Sequence, residues 1–298
     1  DYTNEEKDRK ISLYATPFCG SFKTSSGSEH ELVFIDTPGY LDFFGQVAAA
    51  THATETGLIA VDAVDGPQVG TRRAWKCCVD RDVSRAIVIT GLDRENADYD
   101  KVLADIQSSF GQECVPVIFP LPDGSGVVDI LGAKDVPGDL ATRVEEIKNS
   151  LVERAAETDD SLIEKFLGGE ELSADEIANG LRTAVATGGL VPVFCCMPLK
   201  ETGIKELLDG MARLLPSPAD KPARDAENNE ISVDPSGPFV GHVWRTVNDP
   251  FVGQLTFVRV LGGTLTADGD INNVSRGQKE RISSLLLVNG KSQDTVEK

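Results

Sequence analysis

The chain has 298 residues, with 29 Lys and Arg against 48 Asp and Glu, for a formal net charge of −19. That length suits two domains and suffices for a real core, and 40% hydrophobic with 26% charged residues excludes a mostly disordered chain, a collagen-like chain and a coiled coil. No apolar run approaches the ~18 residues of a membrane span, and Asp1–Arg9 lacks the apolar segment of a secretory signal, so the expectation is a cytoplasmic protein without membrane attachment.

From Ile11 to Leu215 short apolar strands alternate with helical stretches. Glu31–Asp36 reads as a strand and Phe43–Thr54 as an Ala-rich helix. Gly57–Asp62 and Ser84–Thr90 are continuous apolar runs of strand length, which suits strands buried on both faces. Helices are predicted over Val69–Asp80 and Ala97–Ser109. Val115–Phe119 is strand-like, and Pro116 places it at an edge or a strand start. Residues 121–138 are broken by Pro and Gly and read as a small insertion or an irregular excursion. Helices follow near 139–156, 159–167 and 173–186, the last opened by the capping-box pattern Ser173–Glu176. Val191–Cys195 returns to a strand, and Ile204–Leu214 is an amphipathic helix stopped by Pro216-Ser217-Pro218. This alternation predicts an α/β fold of parallel βαβ units with right-handed crossovers.

Residues 216–236 are a polar linker. Beyond it Phe239–Val247, Gln254–Leu261, Thr264–Asn273 and Arg281–Val288 are strand-like, the start of an all-β barrel or sandwich. Four strands are fewer than the five of a small barrel, so the second domain is expected to be partial and loosely folded. The run Leu285–Val288 suits a strand packed on both faces, and in a partial barrel these four side chains are the expected exposed set, losing half of that burial. Charge divides at the same boundary: residues 237–298 sum to +1 and the first 236 to −20. So acidic a front part does not bind nucleic acid by net charge. Such contacts would fall to basic residues of the β region, Arg245, Arg259, Arg276, Lys279 and Arg281, unless these are scattered surface charge.

The six cysteines contain no Cys-x-x-Cys and read as buried reduced thiols. His30, His52 and His242 have no evident partner for a triad or a metal site, and the acidic run Glu153–Asp160 reads as a solvated helix face.

Asp36-Thr37-Pro38-Gly39 is the sharpest chemical signal. It ends a predicted strand, where ligands of open α/β sheets bind. An Asp there can hold Mg²⁺, and a Gly lets a backbone N–H approach a terminal phosphate; the plainer alternative is a turn. The segment continues into Tyr40-Leu41-Asp42-Phe43 and is followed by Gly57–Gly66, Leu92–Asp98, Glu157–Asp160, Gly203–Asp209, Leu215–Pro218 and Asn248–Val260. In these stretches and their order the chain resembles the translational GTPases, most of all the elongation factor G group. The resemblance implies a GTPase-type nucleotide-binding domain over 1–215 with a small insertion at about 121–190, the linker 216–236, and a β-barrel beginning at 237–298. It implies GTP/GDP and Mg²⁺ as cofactors, a monomer, and the ribosome (its RNA and proteins) as partner, with GTP hydrolysis coupled to translocation.

By the same resemblance Ser12 and Asp36 hold Mg²⁺, Gly39 senses the terminal phosphate, Thr37 and Pro38 line the nucleotide, and Tyr40 stands where the attacking water is positioned. Thr90, Asp93, Met197 and Pro198 stand at the guanine-reading positions. Several departures bear on mechanism. Arg9-Lys10-Ile11-Ser12 replaces Arg-Gly-Ile-Thr, and Ser12 is otherwise a strand-edge polar residue. Tyr40 replaces His; a neutral phenol is a poor proton acceptor, and it is otherwise an apolar packing residue. Thr90-Gly91-Leu92-Asp93 replaces Asn-Lys-x-Asp, leaving the Asp93 carboxylate, otherwise a helix-start residue. Met197-Pro198 replaces Ser-Ala, and a proline has no N–H to give guanine O6. The glycine-rich phosphate loop is absent from the 298 residues and is expected upstream of Asp1, so this chain alone is expected to be a weak or inactive GTPase. The rival expectation is a degenerate GTPase-like protein that binds a ribosome or partner without turnover.

Overall fold

The computed structural model describes residues 3–132, 136, 138, 140–249 and 253–298. In chain order the elements are α1 (Asn4–Arg9), β1 (Thr16–Lys23), β2 (Glu29–Asp36), α2 (Phe44–Ala50), β3 (Thr56–Asp62), α3 (Val69–Asp80), β4 (Ser84–Thr90) and α4 (Tyr99–Phe110). Then come β5 (Cys114–Pro116), β6 (Ile118–Pro120), β7 (Val127–Asp129), α5 (Ala141–Ala156), α6 (Asp160–Leu167), α7 (Ala174–Thr187), β8 (Val191–Cys195) and α8 (Ile204–Leu214). The chain ends in β9 (Val240–Asp249), β10 (Gly253–Gly262), β11 (Asp270–Asn273), β12 (Gln278–Arg281), β13 (Leu285–Asn289) and β14 (Ser292–Val296). They gather into two compact units: one takes the chain up to Ser21, Glu31–Thr54 and everything from Lys221 onward, the other Phe22–His30 and Glu55–Asp220.

The second unit is built on a parallel sheet of order β3-β4-β8-β5. Of the two runs expected to be buried on both faces, Ser84–Thr90 is the interior strand β4, whereas Gly57–Asp62 lies in the edge strand β3 and is only partly buried. Ile87 and Ile89 of β4 are fully buried, as is every residue of β8. Helices cover these faces, as parallel sheets require. Pro116 lies on the edge strand β5, where a missing N–H is tolerated. The predicted strand Val115–Phe119 is two strands: Val117 N–H still donates to Val193 O (2.9 Å), and then β6 turns away to pair antiparallel with β7. α4 starts at Tyr99, two residues later than predicted, because the Asp98 side chain caps it by accepting from Lys101 N–H at 3.0 Å. α7 opens with the capping box at Ser173 and Glu176. It crosses α5 so closely that a Cβ on Gly180 would sit 2.6 Å from Ala155 O.

β2 pairs with β1 in a two-stranded ribbon and is not part of the parallel sheet. The sequence reading had no strand at β1. β9 and β10 form a long antiparallel ribbon with two register shifts, followed by the hairpins β11–β12 and β13–β14. The region past the linker thus carries six strands among the described residues, where four were expected. Thr264–Asn273 begins as a loop, with Asp268 in the left-handed region (φ 58°), and only Asp270–Asn273 is strand. Arg281–Val288 is divided between β12 and β13. Of the run expected to lose half of its burial, Leu287 is 53% exposed while Leu285, Leu286 and Val288 are half-buried, with β13 pairing to β14 alone.

All six cysteines are free, five buried and Cys19 partly so. Burial pushes the thiols of Cys78 and Cys196 up to about 11 and that of Cys114 to about 12, so none of these three is a thiolate near neutral pH. No helix among the described residues is long and apolar enough to cross a membrane.

Candidate functional site

In the first unit the site starts from a helix cap. The Thr3 hydroxyl oxygen accepts from Glu6 N–H (3.2 Å), while the Glu6 carboxylate accepts from Thr3 N–H (3.2 Å) and the Thr3 hydroxyl (3.0 Å). This capping box opens α1. Lys10 closes it in the left-handed region (φ 55°, ψ 38°), a conformation that glycine adopts without cost. The chain then turns, and the Ser12 hydroxyl donates to the Asp36 carboxylate at the end of β2 (3.3 Å). Ser12 and Asp36, expected as a pair, are brought together. After Asp36, Thr37 is half-buried, Pro38 buried and Gly39 exposed. No protein atom lies within 4 Å of where a Gly39 Cβ would be, so packing does not demand glycine there. Tyr40 starts a short 3₁₀ turn, Leu41–Phe43, with its side chain outward at 59% exposure. The alternative that it packs apolar surface does not hold.

In the second unit Thr90 ends β4 and Met197 follows β8. These strands are parallel neighbours, Ile89 opposite Cys195, and Cys196 N–H donates to Ile89 O (3.1 Å). Segments 90–94 and 196–200 therefore emerge at the same C-terminal edge of the sheet, the ligand edge of open α/β folds. Asp93 keeps its side chain largely covered (18% exposed), with the Lys200 ammonium 4.0 Å away. Met197 is buried and its N–H is spent on Thr202 O (2.9 Å), while Pro198 begins the turn Pro198–Lys200. Neither residue offers a free N–H.

Three side chains of this edge escaped the sequence reading: Asp62, Arg94 and Lys200. Asp62, at the end of β3, accepts from Val64 N–H (2.9 Å) and Asp65 N–H (3.2 Å) and pairs with Arg94. Burial alone would raise its pKa; the two amides and the guanidinium outweigh it and hold the carboxyl below its ordinary value. Gly91 is left-handed (φ 76°), and a Cβ there would meet Arg94 Cδ at 3.1 Å and Asp62 Oδ2 at 3.2 Å. The space beside Gly91 is filled by the stem of Arg94. Asp followed by Ala-Val-Asp-Gly at a strand end could have been read as an Asx turn, but nothing in the local sequence pairs Asp62 with Arg94. The expected residues are thus shared between units: Ser12, Asp36, Thr37, Pro38, Gly39 and Tyr40 in the first, Thr90, Asp93, Met197 and Pro198 in the second.

The basic residues of the β region are mostly engaged. Arg245 donates to Ala15 O and lies 5.3 Å from the Phe257 ring centre; Arg259 reaches Ala53 O at 3.5 Å. Arg276 and Arg281 lie at ion-pair distance from Glu280 (4.0 Å) and Asp268 (3.8 Å). His52 and His242 stack on one another at 5.4 Å. No group of three or more His, Cys, Asp or Glu among the described residues is arranged to hold a metal by itself.

Comparison with known proteins gives the frame for these residues. Residues 1–217 match the model of the elongation factor Tu GTP binding domain. The whole chain is 32% identical to elongation factor G of Mycoplasma genitalium, of which it covers 46%. It also superposes over its full length on a crystal structure of a protein from Thermus thermophilus, with a TM-score of 0.85 and 29% identity, covering 44% of that chain. The chain therefore spans about half the length of the relatives it matches. Since the matched model accounts for well over half of its residues, the chain belongs to the elongation factor Tu GTP-binding-domain family.

Proposed function

We propose that the chain is the nucleotide-binding part of an elongation factor G-like translational GTPase of the cytoplasm, acting on the ribosome with GTP/GDP and Mg²⁺. The observation that carries this reading is the Ser12 hydroxyl set against the Asp36 carboxylate at the end of β2. Two oxygen donors 3.3 Å apart suit adjacent ligands of a hard cation: an octahedron with bonds of about 2.0–2.1 Å spaces neighbours by roughly 3 Å. Bound there, Mg²⁺ supplies charge neutralisation to the phosphates. Around it Thr37 and Pro38 line the nucleotide, Gly39 leaves room for a terminal phosphate, and the exposed Tyr40 hydroxyl orients a water by hydrogen bonding without acting as its base. Asp93 accepts from the N1–H and N2–H of guanine, beside Thr90, Met197 and Pro198. The domain division 1–215, 216–236 and 237–298, and the monomeric state, belong to the same proposal.

One observation favours the second reading, a degenerate relative that binds without turnover: Met197 has spent its N–H and Pro198 has none, beside a Thr90-Gly91 pair lacking the family's amide and ammonium. Substituting Asp93→Asn separates the two. Asn turns an acceptor toward the base into a donor, so binding should move from guanosine to xanthosine diphosphate, whose O2 accepts where guanine N2–H donates. Equilibrium binding of both nucleotides to the full chain with Mg²⁺ should show GDP weakened at least tenfold and XDP strengthened. Wild-type binding is expected to be weaker than micromolar. Unchanged preference in Asp93→Asn would remove Asp93 from the base site and favour the second reading.

A further inference from the structure

Residues 13–15 follow Ser12 and belong to no helix or strand, yet Leu13 and Ala15 are buried at 4% and 1% exposure. Buried backbone N–H and C=O groups need partners, and here side chains supply them. One Glu6 carboxylate oxygen accepts from Leu13 N–H (3.0 Å) and Tyr14 N–H (3.3 Å). Gln46 of α2 accepts from Ala15 N–H (3.0 Å). Arg245 of β9 donates to Ala15 O and lies 6.0 Å from the Tyr14 ring centre. The strap is held from α1, α2 and β9, all within the first unit.

Glu6 is 2% exposed, an unusual place for a carboxylate unless every oxygen is used. Capping α1 needs only the oxygen that faces Thr3. The other oxygen faces the strap, which makes Glu6 a link between the helix and the segment carrying Ser12. We propose that Glu6 and Arg245 are positioning residues: by fixing the backbone of residues 13–15 they hold the Ser12 hydroxyl beside Asp36. This rests on the reading of Ser12 and Asp36 as the metal-binding pair. It adds that the pair's geometry is set by a helix-borne anion on one side and a cation of the β9 ribbon on the other.

Proximity of positions 12 and 36 is readable without nucleotide or metal. In the full chain, Ser12→Cys and Asp36→Cys are introduced together and oxidised mildly with diamide, and the 12–36 disulfide is followed by peptide mass, well below each variant's melting temperature. Adding Glu6→Ala should slow this linkage at least tenfold. Glu6→Gln keeps an acceptor oxygen for the Leu13 and Tyr14 amides and should recover part of the rate. Arg245→Ala should slow linkage at least threefold, and it carries the test with Glu6→Gln if Glu6→Ala fails to fold. Linkage within twofold of the parent in the folded variants overturns the proposal. The metal reading fails separately: if Ser12→Ala, made alone, leaves the Mg²⁺ dependence of GDP binding unchanged, that reading falls while the linkage rates stand.

Discussion

Acid should reveal Glu6 as a large single contributor to the stability of the first unit. Burial would raise the pKa of its carboxyl, but the N–H groups of Leu13, Thr3 and Tyr14 and the Thr3 hydroxyl outweigh it, lowering the value from 4.5 to about 2. A carboxyl whose folded pKa lies below its unfolded one stabilises the fold fully above the unfolded value, and loses that contribution as pH falls through the folded one. Here the window runs from about 4.5 down to about 2. A separation of about 2.5 units is worth roughly 3 kcal/mol at neutral pH, falling to about 1.4 kcal/mol at pH 3. The assay is urea unfolding of the parent and Glu6→Gln at pH 7, 5, 4 and 3. Both would carry Trp75→Phe, so that Trp244 of the first unit is the remaining tryptophan. All other carboxyls titrate in both proteins and cancel in the difference. The difference should be level from pH 7 to 5, then fall by more than half by pH 3. A difference independent of pH, or one below about 0.5 kcal/mol at pH 7, would refute the reasoning.

Gly180→Ala should destabilise the second unit by up to about 2 kcal/mol, because overpacking costs ~1–3 kcal/mol and improved helix propensity returns only ~1. The added Cβ meets Ala155 O at 2.6 Å and Ala155 Cβ at 2.9 Å, atoms that no rotamer change can move. Thermal melting would show a drop of several degrees, and an unchanged midpoint would contradict the close crossing of α5 and α7. Gly91→Ala should cost about 1–2 kcal/mol through its positive φ and displace Arg94 from Asp62; neutrality in urea melts would mean that the 91–94 turn is not left-handed. Lys10→Gly should stabilise by about 0.5 kcal/mol, the relief of a left-handed lysine less the extra chain entropy of glycine, and a loss of stability would show that the Lys10 side chain has a role of its own.

The second unit was legible because its signals are local and of one period. Runs such as Ser84–Thr90 and Val191–Cys195 are too short for helices and too apolar for half-exposed strands, and the structure places them inside a parallel sheet. Ser173 with Glu176, and Pro216-Ser217-Pro218, marked element ends for stereochemical reasons that hold wherever the chain goes. The first unit was less legible. Thr16–Lys23 carries Gly20 and several small or polar residues, so its pairing with β2 has no counterpart in hydrophobic alternation. Thr264–Asn273 looked continuous because β-branched residues run through it, but Asp268-Gly269 breaks the backbone first. Leu285–Val288 shows the limit of composition: four apolar residues say that a strand is favourable, not that a second layer covers it.

The candidate site divides along the same line. Asp36, Gly39 and Asp93 stood out because their residue types and spacing match the motifs of the family that the chain resembles. The residues beside them stand elsewhere in the chain: Glu6 on α1 against the strap, Arg94 with Asp62, and Lys200 beside Asp93. Among these, Lys200 shows how magnitude decides which departure matters. Its side chain is 58% exposed, with the ammonium 4.0 Å from the carboxylate, and such exposed pairs are worth about 0–1 kcal/mol. In the proposed base site, a guanine edge offering two N–H donors to Asp93 would displace that ammonium at little cost, so Lys200 does not argue against that proposal. Pro198 is different in kind, since no rearrangement gives it an N–H. A buried O6 without a donor costs about 1–3 kcal/mol, enough to erase most of the discrimination that one hydrogen bond supplies. The proposed base site therefore predicts weak selectivity for guanine over adenine, set by Pro198 and the short Thr90 hydroxyl, and the same weak selectivity in a Lys200→Ala variant.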